Sequence, residues 1–188
     1  MIGQQIFNGL TLGMCYALLA VGYSLVFGIL RLVNFSHGSI YAFGAHAAFL
    51  LVSLNFGIVP AILLSLILTG LLGILIDKTA LEPLRKKNSI GIASLITTIG
   101  ISNIIQNLLT VYFGSEKKTF PALFDFGTIS AGSLQITWTQ IFICLISFAL
   151  MLLLVLLVKK TKAGLAMRGC EQNAKAASLM GVNVNFVI

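Results

Sequence analysis

Long apolar runs separated by short polar segments dominate the chain. Five of them approach or reach the length of a membrane crossing: 6–30, 39–54, 58–76, 90–113 and 139–158. A helix needs about 20 apolar residues to cross a hydrocarbon layer about 30 Å thick. The pattern therefore predicts an all-α integral membrane protein, a polytopic bundle of about five spans, the second of them short. Between the first two runs lies Arg31-Leu-Val-Asn-Phe-Ser-His-Gly38, either a cytoplasmic turn or an unwound stretch of helix in the membrane. Between the fourth and fifth, segment 114–138 carries Phe120-Pro121, Gly127 and Gly132, which predict turns rather than a domain. No repeat with a period of 20–50 residues is present.

Composition sharpens this reading. Of the 188 residues, 58% are hydrophobic and 9% charged, against about 25% charged in soluble domains. A soluble fold of this size leaves too much of its surface in water to hide so many apolar side chains. The net charge is +7, but the basic residues cluster in the polar segments, which is not a nucleic-acid footprint. Lys78, Arg85, Lys86 and Lys87 fall in 77–88, and Lys159, Lys160, Lys162, Arg168 and Lys175 in 159–188. In 114–138, Lys117 and Lys118 are offset by Glu116 and Asp125. The excess of Lys and Arg in cytoplasmic loops then places the first two segments inside and the third outside. With five spans the N-terminus lies outside, Arg31 falls inside, and Tyr112, Phe113 and Trp138 sit near the outer interface. The first run lacks a basic leader and is read as a retained span, not a signal peptide. Cys15, Cys144 and Cys170 show neither metal-ligand spacing nor a disulfide framework and are read as packed thiols.

Four features could carry function. Small residues recur along the first two runs at Gly9, Gly13, Ala17, Ser24 and Gly28, then Gly38, Ala42 and Ala45, a pattern that lets helix backbones approach closely in lipid. Asn34, His37 and His46 are polar groups in or beside apolar runs; at membrane depth such groups need partners or face a cavity. Asn103, Gln106, Asn107 and Thr110 share one face of a predicted helix, turned to other helices or to an aqueous path. In the tail, a helix over 166–181 would put Ala166, Cys170, Ala174, Ala177 and Gly181 on one flat face and Arg168, Glu171 and Lys175 opposite. That face lacks the bulky apolar residues of a membrane-lying helix and suits docking onto another protein. Catalytic motifs and paired intramembrane carboxylates are absent, so neither enzyme chemistry, a metal nor a cofactor is expected on this chain.

Several blocks are similar to one family. Asn8-Gly-Leu-Thr-Leu-Gly-Met-Cys-Tyr-Ala-Leu18, Phe27-Gly-Ile-Leu-Arg-Leu-Val-Asn-Phe-Ser-His-Gly38, Thr98-Ile-Gly-Ile-Ser-Asn-Ile-Ile-Gln-Asn107 and the segment from Gly164 to Gly181 resemble, in order, blocks of the branched-chain amino acid ABC transporter permeases. The resemblance implies a multi-pass permease subunit of the bacterial inner membrane that imports branched-chain or related amino acids. Its implied partners are a second permease subunit, identical or different, cytoplasmic ATPase subunits that hydrolyse the ATP, a periplasmic binding protein and the membrane lipid. It implies a membrane domain over 1–158 and, over 159–188, a cytoplasmic segment that couples to the ATPase through Gly164, Arg168, Glu171, Ala174, Ala177 and Gly181. Pathway or gating roles fall to Asn34, His37, Gly38, Asn103 and Asn107. Family members continue for about three more spans, so the chain is expected to be truncated at its C-terminus. The residues alone also admit an ATP-independent secondary transporter or channel, and the family includes permeases for urea and short amides.

Overall fold

The computed structural model describes residues 2–30, 33–86, 91–116, 118, 128–131 and 134–187. In chain order these form α1 (Ile2–Leu30), α2 (His37–Ser53), α3 (Ile58–Ile76), a π-helical turn (Asp77–Leu81), α4 (Glu82–Lys86) and α5 (Ile92–Phe113). Strands β1 (Thr128–Ala131) and β2 (Leu134–Thr137), helices α6 (Trp138–Lys160) and α7 (Lys162–Leu179), and the single turn α8 (Val184–Val187) follow. They make two compact units, Met1–Arg31 with Phe124–Ile188, and Leu32–Leu123.

Burial is inverted relative to a water-soluble protein. Among the described residues the largest fully buried side chains are Thr98, Ser36, Ser39 and Ser94, whereas Leu66, Ile67, Leu71 and Leu75 of α3 and Leu145, Leu152 and Leu153 of α6 are exposed. Hydrocarbon solvates leucine without cost, while a hydroxyl in hydrocarbon needs a partner inside the protein. The chain is an all-α, multi-span membrane protein.

Four helical segments, Ile2–Gly28, Ile58–Lys86, Ile92–Phe113 and Trp138–Lys160, are long and apolar enough to cross a membrane. Helix α2, with 17 residues, is shorter than these. Helix direction shows that it crosses too. In the first unit α1 and α6 run parallel, because Gln4 meets Gln135, Asn8 meets Gln140 and Thr11 meets Cys144 in register. Two parallel spans need an odd number of crossings between them. Helices α3 and α5 supply two, so α2 supplies the third. At about 1.5 Å per residue α2 is roughly 26 Å long, at the lower limit for a span.

The spans observed start close to those expected, with α1 opening at Ile2 instead of residue 6 and α2 at His37 instead of residue 39. In the described part of Arg31–Gly38, residues 33–34 are irregular and 35–36 form a turn that leads into α2; Arg31 and Leu32 lie outside the described residues, as do Lys87, Lys117, Asp125, Phe120-Pro121, Gly127 and Gly132. Segment 114–138, expected to hold turns rather than a domain, carries the short antiparallel hairpin of β1 and β2, with Thr128 opposite Thr137 and Ala131 opposite Leu134. Gln4 anchors it: its amide donates to Gln135 O and accepts from Gln135 N, both at 2.8 Å, so one side chain imitates a neighbouring strand. Gln140 then accepts from Thr137 N at 3.2 Å and donates to Asn8 at 2.9 Å, starting α6 against α1.

In the second unit α2 and α3 form a close antiparallel pair. A Cβ at Gly44 would lie 2.8 Å from Thr69 Oγ1, so the missing side chain is what permits the approach. The link between them closes through Asn55 in the left-handed region (φ 60°), with Phe56 N donating to Leu51 O at 3.1 Å. Beyond α3, Glu82 N bonds Asp77 O in the wider π spacing just before Pro83, which has no N–H to continue the ladder. Arg85 then clamps Asp77 through two bonds of 2.7 and 2.9 Å. Of the small residues expected to let backbones approach, Gly28 lies against the Glu171 side chain, and at Gly9, Gly13 and Gly38 a Cβ would meet nothing within 4 Å among the described residues.

Candidate functional sites, the α2–α5 seam and the α6–α7 elbow

Helix α5 carries Ser94, Thr98, Ser102 and Gln106 at four-residue spacing, and so on one face. That face meets α2, and the two helices run parallel. Thr98 Oγ1 accepts from Phe35 N at 3.3 Å and is itself 3.0 Å from Leu95 O, its acceptor. One turn on, the hydroxyls of Ser39 and Ser102 bond at 2.6 Å, and Gln106 Nε2 donates to both, at 3.1 and 3.3 Å. Asn34 begins the seam. Its buried Oδ1 accepts from Ser36 N at 3.0 Å and from Ser36 Oγ at 2.6 Å, and so closes an Asx turn just ahead of α2.

Past Gln106 the two helices separate around a cavity of about 600 Å³. His46 stands on its wall, with Nδ1 donating to Ala42 O at 2.8 Å and the ring centroid 4.9 Å from that of Phe113. Gly114 (φ 79°) turns the chain so that Glu116 and Lys118 border the opening. On another face of α5, Asn103 and Asn107 are exposed, joined by a 2.8 Å bond from Asn107 Nδ2 to Asn103 O.

The second site lies in the other unit. Helix α6 stops at Lys160 because Thr161 is extended (φ −99°, ψ 160°). Thr161 Oγ1 accepts from Gly164 N at 3.1 Å and so caps α7 as well. The bend is tight: a Cβ on Gly164 would collide with the carbonyl oxygens of Leu157 and Val158. Arg168 Nη2 reaches Lys159 O at 3.4 Å, and the Glu171 carboxylate lies 3.7 Å from where a Gly28 Cβ would stand. Helices α6, α7 and α1 thus meet around one elbow.

Helix α7 is two helices joined at Asn173, whose backbone is extended (φ −157°, ψ 101°). Its Oδ1 accepts from Lys175 N and Ala176 N, both at 3.1 Å, and caps the second piece. The second piece folds back until Ala177 Cβ is 3.9 Å from a Cβ built on Gly169. The expected single small-residue face over 166–181 is therefore corrected. The break at Asn173 turns Ala174 outward, while Cys170 and Ala177 are buried. It also interrupts the helix between Glu171 and Lys175, so the two do not stand one turn apart on a continuous helix. Gly181 closes the end in the left-handed region (φ 87°), with Val182 N donating to Ala177 O at 3.1 Å.

Residues 5–188 match the family model described as the branched-chain amino acid transport system permease component. The chain belongs to this permease family. It is 36% identical to the high-affinity branched-chain amino acid transport system permease protein BraD of Pseudomonas aeruginosa, over 98% of this chain and 64% of that protein. Against the LivH permease protein of Escherichia coli the identity is 35% over the same shares. A probable branched-chain amino acid transport permease LivH of Methanocaldococcus jannaschii is 32% identical over 89% of this chain and 54% of its own length. The chain thus spans just under two thirds of the length of the bacterial relatives. No solved structure matches.

In this chain the residues expected to line or gate a path do not form one cluster. Asn34 holds the turn ahead of α2, His37 and Gly38 open α2, and Asn103 and Asn107 lie on an exposed face of α5. Of the tail residues, Gly164, Arg168 and Glu171 gather at the elbow, Ala174 and Gly181 are exposed, and Ala177 is buried. Ser39, Ser94, Thr98 and Ser102 were not singled out by sequence reasoning. For the three on α5 the signal is the four-residue spacing of hydroxyls along one face.

Proposed function

We propose that the chain forms the permease subunit of an ATP-driven importer of branched-chain or related amino acids in a bacterial inner membrane. The observation that carries this reading is the match of residues 5–188 to permease components of branched-chain amino acid transport. Two structural features support it. Helix α5 is an apolar span that leaves the amides of Asn103 and Asn107 exposed. Such groups are costly against lipid, and they suit a face turned to water or to another protein. Beside a second permease subunit that face would wall a solute path, with Asn34, His37 and Gly38 at its inner end. The elbow is the other feature. Gly164 wedges α7 against the end of α6, and Glu171 packs against α1, so a push on α7 would reach two spans.

With the N-terminus outside, segment 159–188 and the Asp77–Lys86 end of the second unit face the cytoplasm, in keeping with their basic residues. There ATPase subunits would bind and hydrolyse ATP, and a periplasmic protein would deliver the solute from the other side. Reconstitution of the full-length protein with its partner subunits in proteoliposomes tests the reading. Leucine uptake that requires hydrolysable ATP is the expected result. Uptake driven by an ion gradient in vesicles without the ATPase would overturn it.

A further inference from the structure

We infer that the cavity between α2 and α5 is a subsite for a zwitterionic amino acid with an apolar side chain. This rests on the importer reading and assigns residues to the solute. The cavity of about 600 Å³ has a polar floor, apolar walls and a charged mouth. At the floor, Gln106 spends its amide nitrogen on Ser39 and Ser102, which leaves its carbonyl oxygen as an acceptor. On the wall, His46 donates Nδ1–H to Ala42 O, so in the neutral ring Nε2 is also an acceptor. The packed ring of Phe113 holds that imidazole in place. Ala45, Phe49 and Leu109 supply apolar surface between floor and mouth.

Glu116 and Lys118 stand at the mouth, and neither has an ion-pair partner among the described residues. An amino acid brings the complementary set: an ammonium for Glu116, a carboxylate for Lys118 and an apolar side chain for the wall. A lipid tail would leave Glu116 and Lys118 unmet, and a simple ion would leave the apolar wall unused.

The direction of opening agrees. Helix α3 returns antiparallel to α2, so the basic Asp77–Lys86 segment and the cavity mouth lie at opposite ends of this unit. By charge bias the mouth then faces away from the cytoplasm, the side from which an importer receives its solute.

The full-length protein, purified with its partner subunits, is irradiated with leucine carrying a side-chain diazirine, and labelled peptides are mapped by mass spectrometry. Label within 42–49 or 106–113 is expected. Unlabelled leucine should suppress it, whereas isocaproate (no ammonium) and isoamylamine (no carboxylate) should not. Ala45→Trp should abolish it. Glu116→Gln and Lys118→Gln should each raise the leucine needed for half-suppression about tenfold, the loss of one charge-assisted hydrogen bond, and Lys118→Arg should keep it. Label only elsewhere, or label indifferent to leucine and to Ala45→Trp, overturns the subsite. ATP-dependent leucine uptake without label in the cavity removes the subsite and keeps the importer. Leucine-suppressed label in the cavity without ATP-dependent uptake keeps the subsite and removes the importer.

Discussion

At the residue scale the fold depends on a few contacts that leave no room for substitution. Gly164 is one: the carbonyls of Leu157 and Val158 occupy the space a side chain would need. Gly164→Ala is expected to lower stability by about 1–3 kcal/mol, the usual cost of overpacking, seen as a lower unfolding temperature in detergent. The sequence marks Gly164 only as part of a family block, because nothing in its neighbours announces a carbonyl above it. The Ser39–Ser102 bond of 2.6 Å is another. A double-mutant cycle with Ser39→Ala and Ser102→Ala should give a coupling of about 0.6 kcal/mol, a typical interhelical bond in a membrane. A coupling of zero would mean that the two hydroxyls find equal partners elsewhere. Their spacing in α5 was legible; their pairing depends on which helix α5 meets.

At the element scale, α7 shows how one polar side chain changes a helix. Asn173 can cap a new helix as well as sit within an old one, and Asn favours the first. Its carboxamide captures two backbone amides that a straight helix would bond to carbonyls. Removing it through Asn173→Ala should cost about 1 kcal/mol of local stability and speed amide exchange at Lys175 and Ala176. Unchanged exchange would mean that packing of Ala177 alone holds the break. A wheel drawn through 166–181 assumes continuity, so the face it displayed was lost at the kink. The charged residues survived better: Glu171 reaches Gly28 of α1. Glu171→Ala is therefore expected to weaken transport-coupled ATP hydrolysis in the assembled importer while leaving assembly intact, as checked by co-purification and ATPase assays.

At the scale of the whole molecule the decisive fact is direction. Parallel α1 and α6, with Gln4, Asn8 and Thr11 matched to Gln135, Gln140 and Cys144, require that the 17-residue α2 cross the membrane. Labelling tests this. With the native cysteines replaced, a membrane-impermeant maleimide added outside should modify Ser53→Cys and Glu116→Cys and leave Glu82→Cys unmodified. Labelling of Glu82→Cys together with protection of Ser53→Cys would reverse the orientation. Opposite behaviour of Ser53→Cys and Glu116→Cys would show that α2 does not cross.

The sequence by itself determined the solvent, the helices and the polarity of their ends, because each depends on residues close together in the chain. Twenty apolar residues need lipid whatever their neighbours, and basic loops bias orientation one loop at a time. The family was legible for the same reason, through short blocks such as Asn34-Phe-Ser-His-Gly38. Tertiary structure alone decided which faces meet. The polar stripe of α5 divides, with Gln106 turned to α2 and Asn103 outward, and Asn34 proves to hold the turn before α2. A hydroxyl or amide in an apolar helix must find a partner, but its partner lies on a helix more than sixty residues away. Local pattern states that need; only packing answers it.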